Sequence, residues 1–286
     1  MTTHLIVQSP GLDLALIDQT AALCEANGTQ WISKSAAKLM DVQRDADIEG
    51  ALAAWAKQKH LDLAFVAADA RLSDCKVLVM DMDSTLINIE CIDEIASYAG
   101  LKAEVAAITE RTMRGEISEF ADSLRLRVGY LEGLSQDALH AVYTEQLALN
   151  PGAENLIQTA QQAGLKTLLV SGGFTFFTER LKERLGLDAA HANTLEVDDH
   201  GKLTGRVTGR IIDAQAKADI LGEFAATHGA TPEQIIAVGD GANDLKMLAM
   251  AHYSVAYRAK PVVQEQANFA LNVSPLDGIL RWFSDV

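Results

Sequence analysis

Two aspartates separated by one residue give the sequence its sharpest chemical feature. Asp81 and Asp83 follow directly after the apolar run Val77–Met80. Residues i and i+2 of a strand point the same way, so this spacing predicts that both carboxyls face one site. Two adjacent anions repel each other unless a cation or a shared proton is present. The pair therefore indicates a Mg²⁺ site, divided roles in acid and base catalysis, or both, and the alternative is a solvated turn with two surface acids.

Two further apolar runs also end in residues that suit anion or metal binding. The run 168–170 precedes Ser171–Gly173, where backbone N–H groups and a hydroxyl at a helix start can cradle an anion, although a plain strand-to-helix turn explains them too. The run 235–238 precedes Gly239–Asp244, which departs from a dinucleotide-binding fingerprint because its last position is Asp. Further metal coordination beside the first two aspartates is the better explanation. No Gly-x-x-x-x-Gly-Lys-Ser/Thr motif occurs, which excludes a P-loop nucleotidase.

Three basic side chains are less informative when each is taken alone. Lys217 lies near a predicted helix start, where a lone lysine is usually a surface charge. Arg125 and Arg127 are two residues apart on a predicted helix, which places them about 200° apart around its axis. Only one of the two arginines can therefore face the protein interior.

The elements that must position these residues form an α/β fold with a doubly wound, mainly parallel sheet. Three unbroken apolar runs are typical of strands covered on both faces, and ligands bind outside the carboxyl ends of such strands. Between the first two runs, apolar periodicity predicts a helical cap insertion over about residues 90–150, with helices at 101–113, 117–128 and 136–147. Before residue 71 the pattern predicts a separate small α/β domain over residues 1–70, leaving 71–286 as the main domain. The predicted elements of this small domain are strands at 5–7, 29–33 and 61–66 and helices at 12–26 and 48–59.

Composition excludes several classes of protein. Across 286 residues, 24 Lys and Arg stand against 39 Asp and Glu, a net charge of −15, and no basic stripe suits nucleic acid. Three cysteines without a Cys-x-x-Cys spacing fit a reducing compartment and exclude a disulfide framework or a zinc ribbon. The N-terminus lacks the basic region of a signal peptide, and no apolar run reaches the ~18 residues that a membrane span needs. We therefore expect a cytoplasmic protein that binds neither membranes nor nucleic acid.

Taken together, the motifs closely resemble the phosphoserine phosphatases of the haloacid dehalogenase superfamily. The resemblance runs in order over residues 75–286. Its nucleophile motif indicates only the superfamily, whereas Glu90 with the Ser-Leu-Arg-x-Arg segment points to this family. Residues 1–70 resemble the regulatory, ACT-like α/β modules that precede some of these enzymes. The matching segments are Asp-x-Asp-Ser-Thr-Leu-Ile at 81–87, Asn-x-Glu at 88–90, Ile-Asp-Glu-Ile-Ala at 92–96, Ser-Leu-Arg-x-Arg-Val at 123–128, Val-Ser-Gly-Gly-Phe at 170–174, Gly-Lys-Leu-Thr-Gly at 201–205, the Lys217 segment, and Val-Gly-Asp-Gly-Ala-Asn-Asp at 238–244.

The resemblance implies an Mg²⁺-dependent phosphatase that hydrolyses O-phosphoserine, the last step of serine biosynthesis, through an aspartyl-phosphate intermediate. The implied catalytic residues are Asp81 as nucleophile, Asp83 as acid and base, and Lys217 as the cation that neutralises developing charge. The implied ligands of Mg²⁺ are the Asp81 carboxylate, the Asp83 main-chain carbonyl and Asp240, with Asp244 orienting Lys217 or metal-bound water. The implied phosphate contacts are Ser171, Gly172 and Asn243, with the adjacent loop as the alternative partner of Asn243. Glu90 is the implied contact of the substrate ammonium and Arg127 that of the carboxylate. Met113 and Phe120 are implied for the apolar side of the pocket, although packing within the cap also explains these two.

Two other functions are compatible with these residues. The same scaffold could transfer phosphate from Asp81 to an alcohol or hydrolyse another small phosphomonoester. A non-catalytic amino-acid sensor would use residues 1–70 for its ligand, but the intact set Asp81, Asp83, Lys217 and Asp240 argues against it. The oligomeric state is open, with a homodimer among the options.

Overall fold

The computed structural model, which describes residues 3–113, 117 and 119–286, contains two β-sheets. The first is antiparallel, with strand order β2-β3-β1-β4, and one of its faces packs against two helices. Both helices begin at an aspartate whose carboxylate accepts a backbone N–H of the first turn, Asp13 for the first and Asp45 for the second. The elements are β1 (Thr3–Gln8), α1 (Leu14–Leu23), β2 (Gly28–Ser33), β3 (Ala36–Met40), α2 (Ala46–Lys59) and β4 (Asp62–Ala67).

The predicted strands and helices of this first region are confirmed in type, but β3 was missed. Its sequence, Ala-Ala-Lys-Leu-Met, contains no β-branched or aromatic residue, so local preference did not indicate a strand. Pairing with β1 and β2 on both sides stabilises it nevertheless, since it lies inside the sheet. Tertiary context overrides the local preference here.

The second sheet has seven strands in the order β11-β10-β9-β5-β6-β7-β8 and is parallel except for the β7–β8 pair. The three predicted apolar strands are its centre, so the predicted doubly wound sheet is confirmed. Four outer strands were missed, because short or polar strands at a sheet's margin lack an unbroken apolar run. The strands are β5 (Val77–Met80), β6 (Lys166–Phe174), β7 (Ala189–Val197), β8 (Leu203–Thr208), β9 (Ile235–Gly239), β10 (Tyr253–Tyr257) and β11 (Phe269–Leu271).

Helices cover both faces of this sheet, and a group of them follows β5 where the sequence predicts a cap. The chain leaves and re-enters the sheet region side by side, at an isolated bridge between Ile87 and Leu149. The predicted helices at 101–113 and 117–128 correspond to α4 and α5, while the predicted helix at 136–147 is the short α6 followed by a π-helical turn at 142–146. The helices are α3 (Cys91–Ser97), α4 (Lys102–Met113), α5 (Phe120–Gly129), α6 (Asp137–Ala141), α7 (Ala153–Gln162), α8 (Thr175–Leu185), α9 (Ala214–Thr227), α10 (Leu245–Leu248) and α11 (Pro261–Gln264).

The two sheets are joined by a buried carboxylate and a shared apolar core. Asp62 of β4 accepts backbone N–H groups from the segment 272–274 that follows β11, with N···O distances of 2.7 to 3.3 Å. Apolar residues of β1 and β4 belong to the same buried cluster as the segment Leu276–Trp282. Among the described residues, none of the helices combines the length and the hydropathy needed to cross a bilayer.

Candidate active site

Asp81 is the first residue after the central strand β5 and lies at the carboxyl end of the seven-stranded sheet. It is 5% exposed, and its backbone N–H donates to the carbonyl of Val238 in β9, at 3.0 Å. Strand β5 is the point where chain order reverses, because the chain adds β6 to β8 on one side and β9 to β11 on the other. Ligands of doubly wound sheets bind at such a point.

Lys217 is fully buried and joins two carboxylates. Its Nζ lies 2.6 Å from Oδ1 of Asp81 and 2.7 Å from Oδ1 of Asp244. Burial by itself lowers the pKa of Lys217, but the two carboxylates outweigh burial and hold the pKa above its ordinary value. The interpretation of Lys217 as a surface charge is therefore wrong.

The second oxygen of Asp244 organises the loop after β9. Oδ2 accepts the backbone N–H groups of Asp240 and Gly241, at 3.1 and 3.0 Å. A β-carbon at Gly239 would lie 2.6 Å from the Asp244 carboxyl carbon, so the Gly-Asp-Gly spacing leaves room for this carboxylate. Asp244 therefore fixes both Lys217 and the loop that presents Asp240.

Asp81, Asp240 and Asp244 form an acidic cluster whose ligand oxygens lie within 4.8 Å of one another. Burial first, and then the neighbouring carboxylates, raise the pKa of Asp81 to about 7 and that of Asp240 to about 8. Thr85 donates its hydroxyl to Asp240, at 2.9 Å. A donor set of carboxylate oxygens at this separation fits a hard divalent cation, so the cluster can bind a metal.

Asp83 reaches the site in a way that differs from the predicted one. Strand β5 ends at Met80, so the strand alternation that was expected to align Asp83 with Asp81 does not extend to it. The chain instead makes an irregular turn in which Ser84 adopts a left-handed φ of 57°. Burial first, and then the carboxylates of Glu90 and Asp81, raise the pKa of Asp83 well above its ordinary value. Its side chain lies outside the acidic cluster, near the backbone N–H of Cys91 and next to Gly173.

The Ser171–Gly173 segment is a bulge inside β6 and not the start of a helix. The predicted cradle at a helix start is wrong in this respect, since β6 continues to Phe174 and α8 begins at Thr175. The bulge nevertheless lies at the site. A β-carbon at Gly172 would be 2.9 Å from the Phe120 ring and 3.8 Å from the Asn243 amide nitrogen. A buried hydroxyl, that of Ser171, accepts the N–H of Gly173 at 2.8 Å.

The cap brings two charged side chains towards this edge of the sheet. Glu90 accepts the Ser84 hydroxyl at 2.7 Å. Arg127 is 8% exposed, and its guanidinium donates to the Ser123 carbonyl at 3.4 Å and to the Thr109 hydroxyl at 3.3 Å. Burial lowers the pKa of Arg127, and the nearby carboxylates of Glu90, Asp93 and Asp83 oppose this effect.

The remaining cap residues named from the sequence are Arg125, Phe120 and Met113. Arg125 is the exposed arginine, with 61% of its side chain accessible and an ion pair to Asp122 at 3.1 Å, so the prediction that only one of the two faces inward is confirmed. Phe120 lies against Gly172. Met113 ends α4, and its side chain lies outside the described residues.

Sequence reasoning missed Asn150, which holds the turn between Asp83 and the cap. Its buried side-chain amide donates to the carbonyls of Ser84, Thr85 and Ile87, at 3.3, 2.9 and 2.9 Å. The local sequence Asn-Pro-Gly at 150–152 is typical of a turn and gives no sign of these bonds, because the acceptors lie more than 60 residues away along the chain.

The sequence matches the family model of the haloacid dehalogenase-like hydrolase over residues 78–249. Among curated proteins, a phosphoserine phosphatase of Polaromonas sp. is 55% identical over 217 residues, which is 74% of this chain and 92% of the relative. The 217 aligned residues are about as many as the seven-stranded sheet and the cap contain together, and they cover most of the relative.

Two solved structures extend the similarity across the whole chain. A HAD family hydrolase from Salmonella enterica serovar Typhi superposes with a TM-score of 0.89 at 30% identity, covering 100% of this chain and 99% of that one. An unliganded probable phosphoserine phosphatase from Vibrio cholerae superposes with a TM-score of 0.82 at 39% identity, covering 98% of this chain and 86% of that one. Both similarities include the N-terminal sheet.

Proposed function

Because the chain belongs to the haloacid dehalogenase-like hydrolases, in the group that contains the phosphoserine phosphatases, we propose that it hydrolyses O-phospho-L-serine to L-serine and inorganic phosphate. This reaction is the last step of serine biosynthesis. The observation that carries the proposal is a buried Asp81–Lys217 ion pair beneath a cap that supplies Glu90 and Arg127. The ion pair suits phosphoryl transfer, and the two cap charges suit an amino acid.

Asp81 is the proposed nucleophile. One carboxylate oxygen attacks phosphorus, and the bond from phosphorus to the serine oxygen breaks, which leaves an aspartyl phosphate. Lys217 donates to Oδ1 of Asp81, which leaves Oδ2 without that hydrogen bond and makes Oδ2 the better candidate for attack. A fixed buried cation at this position offsets negative charge that develops on the transferring group.

Asp83 is the proposed general acid and base. It gives its proton to the leaving serine oxygen, and it later takes a proton from the water that attacks the aspartyl phosphate, whereupon the Asp81–phosphorus bond breaks. A carboxyl must be protonated near neutral pH to act first as an acid. The raised pKa of Asp83, caused by burial and by Glu90 and Asp81, supports this role.

Mg²⁺ is the cation that we propose for the acidic cluster, held by the carboxylates of Asp81 and Asp240 and by the main-chain carbonyl of Asp83. Asp244 is a weaker candidate for a ligand, because its two oxygens already accept from Lys217 and from backbone N–H groups. When bound, the ion supplies positive charge that relieves repulsion between the carboxylates and polarises the phosphoryl group.

Ser171, Gly172 and Asn243 are the proposed phosphate contacts. Hydroxyl, backbone N–H and side-chain amide groups are all hydrogen-bond donors that suit an anion. The approach of Asn243 to Gly172 supports a shared role. Asp244 acts indirectly, since it orients Lys217.

The cap selects the amino-acid part of the substrate in this proposal. Glu90 binds the ammonium, and Arg127 binds the carboxylate through a pair of hydrogen bonds. Phe120 contributes the apolar side of the pocket, and its ring next to Gly172 supports that assignment. Met113 is assigned to the same apolar side from the sequence resemblance alone.

Two broader expectations accompany this function. The cysteine content favours a reducing, cytoplasmic environment. The antiparallel N-terminal sheet with helices on one face supports a regulatory, ACT-like domain over residues 1–70, with the main domain over 71–286 and the cap over about 90–150.

Phosphate release across a panel of phosphomonoesters tests the proposed function. We expect release that requires Mg²⁺, stops with EDTA, is fastest with O-phospho-L-serine, and yields serine and phosphate in equal amounts. Asp81→Asn serves as the inactive control. Transfer of the phosphoryl group to added alcohols in preference to water would indicate a phosphotransferase instead, and absence of release from every phosphomonoester would favour the amino-acid sensor.

A further inference from the structure

The Ser171–Gly173 bulge interrupts the hydrogen-bond ladder between β6 and β7. Val170 pairs with His191 and Phe174 pairs with Asn193, so the three residues of the bulge stand opposite a single residue of β7. A bulge displaces backbone groups from the ladder, and buried backbone carbonyls need other partners. The geometry of the proposed phosphate contacts therefore depends on the hydrogen bonds that the backbone groups of the bulge make.

The side chain of Asn193 holds the bulge from the neighbouring strand. Asn193 is 1% exposed, and its Nδ2 donates to the Gly172 carbonyl at 2.8 Å. Its Oδ1 accepts the backbone N–H of Ile212, also at 2.8 Å. Because one end of the amide donates and the other accepts, the two bonds fix its orientation.

These bonds connect two parts of the proposed catalytic machinery. The carbonyl of Gly172 and the N–H of Gly173 belong to one planar peptide unit, so holding the carbonyl also aims the N–H. That N–H donates to the Ser171 hydroxyl oxygen, which leaves the hydroxyl hydrogen to donate elsewhere. Ile212, the second partner, lies just before Asp213, whose carboxylate caps the helix that carries Lys217.

We propose that Asn193 is a positioning residue that aims the Ser171 hydroxyl at the phosphoryl group of the substrate. The inference rests on the proposed function. It assigns Asn193 to the phosphate half of the site and not to recognition of the amino acid, because its partners are the bulge and the segment before α9.

Two substitutions and an anion probe test this role. Asn193→Ala should lower kcat/KM roughly 10- to 100-fold for both O-phospho-L-serine and p-nitrophenyl phosphate. Competitive inhibition by inorganic phosphate should weaken by a similar factor, because the anion contacts the same hydroxyl. Asn193→Asp, which is nearly isosteric and keeps the acceptor for Ile212, should show the same losses and provides a second variant if the alanine variant folds poorly.

Asn268→Ala is the control for loss of an amide-to-carbonyl hydrogen bond at an exposed position. Its amide also donates to a backbone carbonyl, that of His252, at 2.8 Å, but it lies at the amino end of β11 and away from the bulge. We expect unchanged inhibition by phosphate in this variant. Equal weakening in both variants would overturn the assignment.

A double-mutant cycle separates positioning from general destabilisation. If Asn193 acts through Ser171, the Ser171→Ala/Asn193→Ala variant should be no slower than Ser171→Ala alone. Losses that multiply, or an Asn193→Ala variant that loses thermal stability but keeps its affinity for phosphate, would contradict the proposal. A wild-type enzyme that does not hydrolyse O-phospho-L-serine would instead overturn the proposed function.

Discussion

The sheet edge and the cap each contain a buried cation, and the two cations are held very differently. Lys217 donates to two carboxylates at 2.6 and 2.7 Å, so its charge is already neutralised within the protein. Arg127 donates to two neutral oxygens at 3.3 and 3.4 Å, and carboxylates lie nearby without such short contacts. Long bonds to neutral partners leave a guanidinium able to bind an incoming carboxylate. Under the proposed function, this difference suits preorganised chemistry at the sheet edge and adaptable recognition of the substrate in the cap.

The largest effect should come from the proposed nucleophile. Asp81→Asn replaces a carboxylate by a poor nucleophile and should lower kcat by roughly 10⁴-fold or more for any phosphomonoester. Steady-state rates with O-phospho-L-serine and p-nitrophenyl phosphate measure this. If Asp81→Asn kept substantial activity towards p-nitrophenyl phosphate but not towards O-phospho-L-serine, Asp81 would not be the nucleophile for every phosphomonoester. The separation of chemistry at the sheet edge from recognition in the cap would then be wrong.

Replacement of Lys217 should lower the folding stability as well as the activity. Lys217→Met leaves Asp81 and Asp244 buried without their partner, and breaking such a pair costs about 3–5 kcal/mol of unfolding free energy. Denaturant unfolding of the metal-free protein measures the loss. Adding Asp244→Asn should recover part of it, because one uncompensated charge is then removed. A loss below about 1 kcal/mol would mean that Lys217 is not neutralised as described.

Arg127→Ala should affect the substrate and not the chemistry. We expect kcat/KM for O-phospho-L-serine to fall by roughly 30- to 1,000-fold, or about 2–4 kcal/mol, since the substrate carboxylate loses its partner. The rate with p-nitrophenyl phosphate should barely change. Arg125→Ala, on the exposed side of the same helix, is the matched control and should be tolerated. An equal loss of kcat/KM in both variants, or with both substrates, would show that Arg127 of the cap does not recognise the substrate carboxylate.

The smallest expected effect is the change of the unfolding free energy with pH and with Mg²⁺. In the metal-free protein, Asp81 and Asp240 keep protons up to pKa values of about 7 and 8, whereas the unfolded chain releases them near pH 4. The folded state therefore binds more protons between these limits, and the unfolding free energy should fall as pH rises from about 5 to 8. Stabilisation by Mg²⁺ should grow over the same interval. Thermal unfolding with EDTA or Mg²⁺ measures this, and a Mg²⁺ effect independent of pH would place the ion elsewhere.

The sequence predicted the central strands of the sheet better than it predicted the contacts that hold the site together. The three central strands were predictable because both faces are buried and the runs are unbroken. Lys217 was recognisable only through its motif, since its two partners lie 136 and 27 residues away. Asn150 and Asn193 left no local signal, because a polar residue that binds distant backbone carbonyls resembles one in a loop. Supports made by contacts distant in sequence require the fold itself.

The backbone conformations of two segments differ from the sequence prediction for the same reason. Asp83 was placed by strand alternation, yet β5 ends at Met80 and an irregular turn brings the carboxyl to the site. Ser171 was assigned to a helix start, yet β6 continues beyond it with a bulge. Both turns carry strain or unpaired backbone groups that only the surrounding contacts stabilise. The backbone conformations at Asp83 and Ser171 were therefore harder to predict than the strands that carry them.

Mapping the phosphorylated residue during turnover is the most direct test of the central claim that chemistry belongs to the sheet edge and selection to the cap. Wild-type and Arg127→Ala enzymes would be quenched in acid while turning over O-phospho-L-serine or p-nitrophenyl phosphate, then digested and analysed by mass spectrometry. We predict that the phosphoryl group lies on Asp81 in all four samples, with Arg127→Ala reducing its amount only for O-phospho-L-serine. Phosphate on Ser84, Thr85 or a histidine, or a labelled residue that changes with the substrate, would contradict the account.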